Sequence, residues 1–206
     1  MKLDDKGILI VLSGPSGVGK GTIRKALFEM EGHDLIYSIS MTTRKQRAGE
    51  VDGKDYFFVS KEEFEEKIKN GEMLEYAEFV GNYYGTPLNY VKEQLNEGHE
   101  VVLEIEIQGA SQVKCKMPHA VFIFIAPPSL KALHDRLTSR GTESEERIQK
   151  RFDKALSEMH MAYMYDYIVV NDDIHNAAEK IMTIIRAEHA RTERTIHGYK
   201  KLLEEE

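Results

Sequence analysis

The chain contains a single cysteine, Cys115, among its 206 residues, and it contains no tryptophan. One thiol excludes an intramolecular disulfide framework and favours a reducing compartment. Long hydrophobic runs are also absent, since stretches such as VFIFIA fall far short of the roughly 20 residues that cross a bilayer. The polar N-terminal segment MKLDDKG lacks the apolar region of a signal peptide. These features predict a cytoplasmic protein that has no membrane partner.

An excess of basic charge is also lacking. The 28 lysines and arginines are outnumbered by 35 aspartates and glutamates, which gives a formal net charge of −7. A balance of this sign does not favour a nucleic-acid partner or an anionic membrane surface. The eight histidines are scattered without the spacing of metal ligands. The composition gives no indication of the oligomeric state.

Apolar runs alternate with amphipathic segments along most of the chain. ILIVL at 8–12, EVVLEIEIQG, AVFIFIAPP and YIVVND each have the pattern of a buried strand, and a helical segment follows each one. SKEEFEEKIKNG at 60–71 has a capping box of Ser60 and Glu63 and a stop at Gly71. This alternation predicts an α/β fold with a mostly parallel sheet. Residues 35–90 instead carry short strand-like pieces and turns, which indicate an inserted lobe.

The segment GPSGVGKGT at 14–22 has the pattern of a phosphate-binding loop, or P-loop. A strand precedes it and a helix follows, so backbone N–H groups and the helix N-terminus can face a phosphate while Lys20 reaches the outer phosphates. An ordinary glycine-rich turn is the alternative, and this context makes it much less favourable. The predicted ATP-binding residues of the loop are Ser13, Gly14, Pro15, Ser16, Gly17, Val18, Gly19, Lys20, Gly21 and Thr22.

Gly21 departs from the usual loop, because a serine or threonine at this position commonly supplies a hydroxyl to Mg²⁺. One interpretation is a pseudo-enzyme that has lost its metal site. The other is a different subclass of loop, since Lys20 and the loop glycines are retained and Thr22 follows directly. The form GKGT resembles that of nucleoside monophosphate kinases, in which phosphate oxygens and waters can hold most of the Mg²⁺ shell.

Four later segments resemble guanylate kinases when they are read in order after this loop. They are SISMTTRKQRAGEVDGKDYFFVS, MLEYAEFVGNYYGTP, LEIEIQG and RGTESEERIQKR. The resemblance covers roughly residues 7–188 and implies transfer of the γ-phosphoryl group of ATP to GMP. It also implies a nucleoside monophosphate kinase fold with a five-stranded parallel core sheet. The implied core comprises 1–34, 94–138 and 165–206, with a GMP-binding lobe at 35–93 and a lid at 139–164.

The lobe carries side chains suited to a phosphate monoester and to a purine. Arg44 and Arg47 offer guanidinium forks near the hydroxyl of Ser40. By resemblance, the GMP phosphate is bound by Ser40, Arg44, Arg47, Tyr56 and Tyr84. The resemblance also implies that the base is read by Glu75, Thr86 and Glu106, with Glu75 accepting from N1–H and the 2-amino group and Thr86 donating to O6. Taken alone, two arginines or a carboxylate could equally be solvated surface groups.

Glu104 and Glu106 alternate with isoleucines, so their carboxylates are predicted on one face near the C-terminal end of a strand. The resemblance assigns Glu104 to the water shell of Mg²⁺ that accompanies ATP. It assigns Asn171 to the adenine side. The implied catalytic residues are Lys20, Arg44, Arg140 and Arg151, because phosphoryl transfer depends on positioning and on neutralised charge. Arg147 does not clearly match a lid position.

Two other functions stay open from the sequence. A guanylate-kinase-like domain of a scaffolding protein binds phosphorylated peptides without catalysis, and its P-loop is degraded. A kinase for another nucleoside monophosphate would require the assignments of Glu75 and Thr86 to be wrong. The retained glycines and Lys20 favour an enzyme, and ATP and GMP are its predicted substrates.

Overall fold

The computed structural model describes residues 6–138 and 144–204. Its strands in chain order are β1 (Leu9–Ser13), β2 (Leu35–Tyr37), β3 (Met41–Thr42), β4 (Phe57–Phe58), β5 (Met73–Phe79), β6 (Asn82–Pro87), β7 (Glu100–Glu104), β8 (Val121–Ala126) and β9 (Tyr167–Val170). Its helices are α1 (Lys20–Glu29), α2 (Lys61–Lys69), α3 (Leu88–Asn96), α4 (Ile107–Lys116), α5 (Leu130–Thr138), α6 (Glu145–Met159), α7 (Ile174–His189) and α8 (Thr192–Glu204), with a 3₁₀ turn at Ala162–Met164.

The larger sheet has five parallel strands in the order β2-β7-β1-β8-β9. The central strand β1 pairs with β7 and β8, and all of its residues are buried. Ile10 and Leu12 face a core that α1, α5 and α7 complete, whereas Leu9 and Val11 face a second core beneath α3 and α4. The predicted α/β fold with a five-stranded parallel core is confirmed.

The smaller sheet has the order β4-β3-β6-β5 and contains both parallel and antiparallel pairs. It covers Met41 to Pro87. The boundaries predicted for the lobe, 35–93, therefore extend beyond this sheet at both ends. β2 hydrogen-bonds to β7 in the core sheet, and α3 buries Val91 and Leu95 against the core, because both segments are apolar on the face that they present to it. The division into a core, a lobe and a lid stays a prediction.

Two local signals in the sequence have different outcomes. The helix predicted at 60–71 is confirmed as α2, in which the Ser60 hydroxyl accepts from the Glu63 N–H at 3.0 Å. The strand predicted through EVVLEIEIQG ends earlier, at Glu104, because the residues from Ile107 onward form α4 and Glu106 is its N-cap. The sequence also favours a capping box of Thr142 and Glu145 before a helix. Thr142 lies outside the described residues, and α6 begins at Glu145 with Ser144 as its N-cap.

The last two helices are joined by a buried carboxylate. Glu188 near the end of α7 is 1% exposed, and it accepts hydrogen bonds from the Tyr167 hydroxyl at 2.6 Å and from Arg194 at 3.2 Å. Burial alone would raise the pKa of Glu188, but these donors and the charge of Arg191 lower it overall. The network therefore ties α8 and β9 to α7. Within residues 6–138 and 144–204, no helix is long and apolar enough to cross a membrane.

We expect Glu188→Ala to lower the free energy of unfolding by about 3 kcal/mol, because it leaves buried donors and two cationic side chains without their acceptor. Glu193→Ala is the matched control, since Glu193 pairs with Arg191 at 3.2 Å but is exposed. That change should cost less than about 1 kcal/mol. Urea unfolding measures both values. Equal stability of the two variants would show that burial of Glu188 contributes nothing.

Candidate active site

The P-loop follows the buried strand β1 and ends at the first turn of α1. Gly14 and Gly19 have φ angles of 151° and 91°. A Cβ at Gly14 would lie 2.3 Å from the Ile125 carbonyl oxygen, and a Cβ at Gly19 would lie 2.7 Å from the Asn171 amide nitrogen. The loop can therefore lie against β8 and β9 only if these positions are glycine. Its geometry agrees with the P-loop expected from the sequence.

Lys20 is the first residue of α1, and its ammonium points back into the loop. Its Nζ donates to the carbonyl of Gly14 at 2.7 Å and to that of Pro15 at 3.2 Å. Burial lowers the pKa of Lys20, while the charges of Glu106, Glu104 and Glu158 counteract this. A cation is thus held at the mouth of the loop, among carboxylates that keep it protonated.

The other predicted loop residues have different environments. Ser13 is fully buried, so its side chain lies beneath the loop, whereas Thr22 is exposed on the first turn of α1. Asn171 is 2% exposed and its amide donates to the Val18 carbonyl at 2.6 Å. Arg136, which the sequence did not single out, bonds the same carbonyl and that of Asn171, each at 3.1 Å. Asn171 and Arg136 therefore support the loop from the side of β9 and α5.

One of the predicted lid arginines reaches the loop. The Nη2 of Arg151 on α6 donates to the Ser16 hydroxyl at 2.9 Å. Arg140, the other arginine expected to take part in catalysis, lies outside the described residues. The helix α6 therefore brings at least one cation of the predicted lid to the phosphate side of the site.

A cavity of about 220 Å³ lies between the two sheets. It joins the C-terminal end of β7 to the inner face of the smaller sheet, which is the edge at which open α/β sheets bind ligands. The residues that line it include Ser40, Tyr56, Glu75, Tyr84, Glu104 and Glu106, together with Tyr37, Asp55, Ala77, Gly85, Ile105 and Gly109. Six residues that the sequence predicted from distant segments thus share one cavity.

A cation lies next to the hydroxyl groups of this cavity, although the predicted residues Arg44, Arg47 and Thr86 are not part of its lining as the structure describes it. Arg44 makes two hydrogen bonds with the Glu50 carboxylate, at 2.8 and 3.0 Å, and its guanidinium lies 5.3 Å from the Tyr56 ring. The rings of Tyr56 and Tyr84 meet edge to face at 6.1 Å. The Arg47 side chain is exposed, while its backbone N–H donates to Glu50 at 2.8 Å. Arg44 and the two tyrosines could together bind an anion such as a phosphate.

Glu50 was not identified from the sequence. It orients Arg44, and the bonds from Arg44 and from the Arg47 N–H hold its own pKa below the usual value. A carboxylate six residues after an arginine, in the turn-forming context RKQRAGE, is the signal that could have indicated this pair.

The lining of the cavity includes a buried carboxylate. Glu75 on β5 is 6% exposed, and the Thr86 hydroxyl on β6 donates to its Oε1 at 2.7 Å. Burial raises the pKa of Glu75, and the bonds from Thr86 and the charge of Lys116 partly offset this effect. A carboxylate in this position is a strong acceptor for a ligand that carries adjacent N–H donors. In this structure the hydroxyl proton of Thr86 takes part in the hydrogen bond to Glu75.

Glu104 and Glu106 both line the cavity. The Nε of Arg24 donates to Glu104 at 2.9 Å, and the Lys154 ammonium on α6 lies 3.5 Å from Glu106. The other oxygen of Glu104 would lie 3.4 Å from a Cβ at Gly21. Among the residues that the structure describes, no three acidic, histidine or cysteine side chains form a metal-binding cluster. Glu104 is therefore a carboxylate beside the loop that could face a metal ion, without a described cluster of protein ligands around it.

Comparison with known proteins agrees with this geometry. The family described as guanylate kinase matches residues 6–188. The chain is 59% identical to the guanylate kinase of Onion yellows phytoplasma (strain OY-M) over 206 residues, which is 100% of this chain and 97% of the relative. It is 58% identical to that of Streptococcus thermophilus (strain CNRZ 1066), over 98% of this chain and 96% of the relative.

A solved structure gives the same result in three dimensions. The crystal structure of guanylate kinase from Anaplasma phagocytophilum superimposes with a TM-score of 0.77 at 37% identity, and it covers 100% of this chain and 97% of its own. The family model, the two relatives and this structure all agree with the resemblance drawn from the sequence. The chain belongs to the guanylate kinase family.

Proposed function

We propose that this enzyme transfers the γ-phosphoryl group of ATP to GMP, and to dGMP, and releases ADP and GDP. The observation that carries the proposal is the cavity, which is lined by the buried acceptor Glu75 and by the hydroxyl groups of Tyr56 and Tyr84. The guanidinium of Arg44 lies next to it, 5.3 Å from the Tyr56 ring. The P-loop with Lys20 lies beside it. The cavity can thus bind the base of one nucleotide while the phosphate of that nucleotide faces the phosphates of a second nucleotide in the P-loop.

The base end suits guanine. Guanine carries the N1–H and 2-amino donors side by side, and the ionised carboxylate of Glu75 can accept from both. When these donors satisfy Glu75, the Thr86 hydroxyl can turn its proton to the guanine O6. Glu106, at the mouth of the cavity, accepts from the outer hydrogen of the 2-amino group. The three residues together would recognise the donor and acceptor pattern of one base.

The phosphate end brings the reacting groups together. An oxygen of the GMP phosphate, bound by Ser40, Arg44, Arg47, Tyr56 and Tyr84, attacks the γ-phosphorus, and the bond to the bridging oxygen of ADP breaks. Lys20 neutralises charge on the β- and γ-phosphates. Arg151, next to Ser16, and Arg140 supply positive charge from the lid. Asn171 contributes on the adenine side by holding the end of the loop.

Mg²⁺ is proposed to enter with ATP. When bound it would supply positive charge that stabilises the phosphates during transfer. Glu104 fits a role in its shell, through water, because a free oxygen of its carboxylate faces Gly21, where a loop hydroxyl is missing. The lack of a side chain at Gly21 leaves room for that carboxylate. This arrangement favours a loop subclass over a pseudo-enzyme.

Phosphopeptide binding without catalysis is the competing function. The loop glycines and Lys20 retain a geometry that only nucleotide binding uses, and the named relatives are guanylate kinases over nearly their whole length. An assay coupled to ADP release on addition of GMP separates the two functions. Binding of ATP without any turnover in the presence of Mg²⁺ and GMP would favour the non-catalytic one.

Lys20→Ala should lower kcat by at least about 10²- to 10³-fold, because it removes a preorganised cation from charge that develops in the transition state. Lys25→Ala on the same helix is the control, since Lys25 is exposed and contacts neither cavity nor loop carbonyls. Steady-state kinetics and circular dichroism of both variants give the comparison. A folded Lys20→Ala enzyme with wild-type turnover would contradict the P-loop assignment.

Base selection should follow the donors that each nucleotide offers. We expect AMP to be rejected by about 10⁴- to 10⁵-fold in kcat/KM, because it presents the acceptor N1 to Glu75 in place of the N1–H and 2-amino donors of guanine. IMP should fall between GMP and AMP, since it keeps N1–H but lacks the amino group. Glu75→Gln should reduce GMP use strongly, whereas Thr86→Val should weaken it by about 0.5–1.5 kcal/mol. Use of AMP as efficiently as GMP by the wild type would end the guanine assignment.

GMP affinity should also fall on acidification. Because burial raises the pKa of Glu75, this carboxylate becomes protonated at a higher pH than an exposed glutamate. The protonated form loses acceptor capacity toward guanine, so Kd for GMP should rise as the pH falls through this raised pKa. Calorimetric titration without ATP measures the effect. Glu75→Gln is the control, because it removes the titration of Glu75 and keeps that of the nucleotide phosphate and of the other carboxylates, and identical pH profiles would refute this role of Glu75.

A further inference from the structure

The helix α4 forms hydrogen bonds with the edge strand of the smaller sheet. β5 is the last strand of that sheet, so its outward N–H and C=O groups have no strand partner. Gln112 on α4 satisfies both groups of Tyr76. Its Oε1 accepts from the Tyr76 N–H at 3.2 Å and its Nε2 donates to the Tyr76 carbonyl at 2.8 Å. One side chain thus takes the place of a neighbouring strand at a single residue.

A second contact lies on the other side of Glu75. The Lys116 ammonium donates to the Met73 carbonyl at 2.5 Å, one helical turn beyond Gln112. The pairing of β5 with β6 shifts its register between Met73 and Glu75, so the ladder alone does not fix the backbone here. The bonds from α4 therefore hold β5 two residues before and one residue after the carboxylate that is proposed to read the base.

Gly109, on the same face of α4, leaves space for that carboxylate. A Cβ at this position would lie 2.7 Å from the Glu75 Oε2. Glycine is among the least favourable residues within a helix, and the backbone here does not have a positive φ angle. Local conformation therefore gives no reason for glycine at 109, whereas the position of Glu75 does.

We propose that this face of α4 sets base selectivity, with Gln112 as a positioning residue for Glu75 and with Gly109 as the position that leaves room for its carboxylate. Neither residue needs to touch the nucleotide. The inference rests on the proposed function, since it assumes that Glu75 accepts from guanine. It adds that the orientation of Glu75 depends on the core helix as well as on Thr86.

The test compares three variants with the wild type. Gln112→Met keeps the length of the side chain and removes both bonds, and Gly109→Ala adds only the Cβ. Gln94→Met is the matched control, because Gln94 bonds only to Glu97 on the surface of α3. The measurements are kcat and KM with GMP and with IMP, KM for ATP, and Tm.

We expect Gln112→Met and Gly109→Ala each to lower kcat/KM for GMP by about tenfold, mainly through KM, which corresponds to the loss of about one hydrogen bond. IMP should lose less, because it uses one acceptor of Glu75 where GMP uses two, so the ratio of GMP to IMP should fall. KM for ATP should stay unchanged. Gly109→Ala should keep or raise Tm, since alanine favours a helix. Gln94→Met should match the wild type.

An unchanged ratio of kcat/KM for GMP to kcat/KM for IMP in both variants would overturn the inference. A merely structural role predicts this result, because it lowers the use of both nucleotides equally. If Gln112→Met does not fold, the ratio measured with Gly109→Ala decides. A wild type that does not phosphorylate GMP would overturn the proposed function itself. A selective wild type whose selectivity survives both substitutions would overturn this inference alone.

Discussion

Burial of the central strand β1 is the constraint on which the phosphate side of the site depends. All five of its residues lie inside the sheet between β7 and β8, so the chain must leave the sheet at Ser13 in a fixed direction. Gly14 then passes against the β8 backbone, where no side chain would fit. The loop closes onto α1, and Lys20 is held at its centre. Packing of apolar side chains thus positions a cation to within hydrogen-bond distance of loop carbonyls.

The end of the cavity that contains Glu75 has a different requirement, because a carboxylate is held away from water there. Burial of Glu75 costs free energy that only its partners can offset, and Thr86, the charge of Lys116 and the held backbone of β5 supply part of this. Guanine would supply the rest through two donors. A ligand without those donors does not offset the free energy of burying Glu75. Selectivity therefore follows from the same burial that destabilises the carboxylate.

Local signals in the sequence predicted the parts of the structure that nearest neighbours decide. The run before Gly14 gave β1, and Ser60 with Glu63 gave the start of α2 at its observed position. Contacts between distant segments could not be predicted in this way. The bond of Arg24 to Glu104 and that of Gln112 to Tyr76 each depend on how helices and sheets meet, which periodicity does not encode. The resemblance to a family identified six of the residues that line the cavity. Only the packing in the structure shows which neighbouring groups orient them.

The cationic side chains of the site have hydrogen-bond acceptors within the protein. Lys20 donates to loop carbonyls, Arg44 to Glu50 and Arg151 to the Ser16 hydroxyl. A phosphate must therefore replace an existing partner at each cation, and its net gain is the difference between the two bonds. At Lys20 the acceptors are the neutral carbonyls of Gly14 and Pro15, so a phosphate oxygen is the stronger replacement. At Arg44 the partner is itself a carboxylate, and binding there would favour a phosphate that adds to the Glu50 pair over one that displaces it. Arg44 would then act as a bridge between a fixed carboxylate and the incoming phosphate, which limits its motion during transfer.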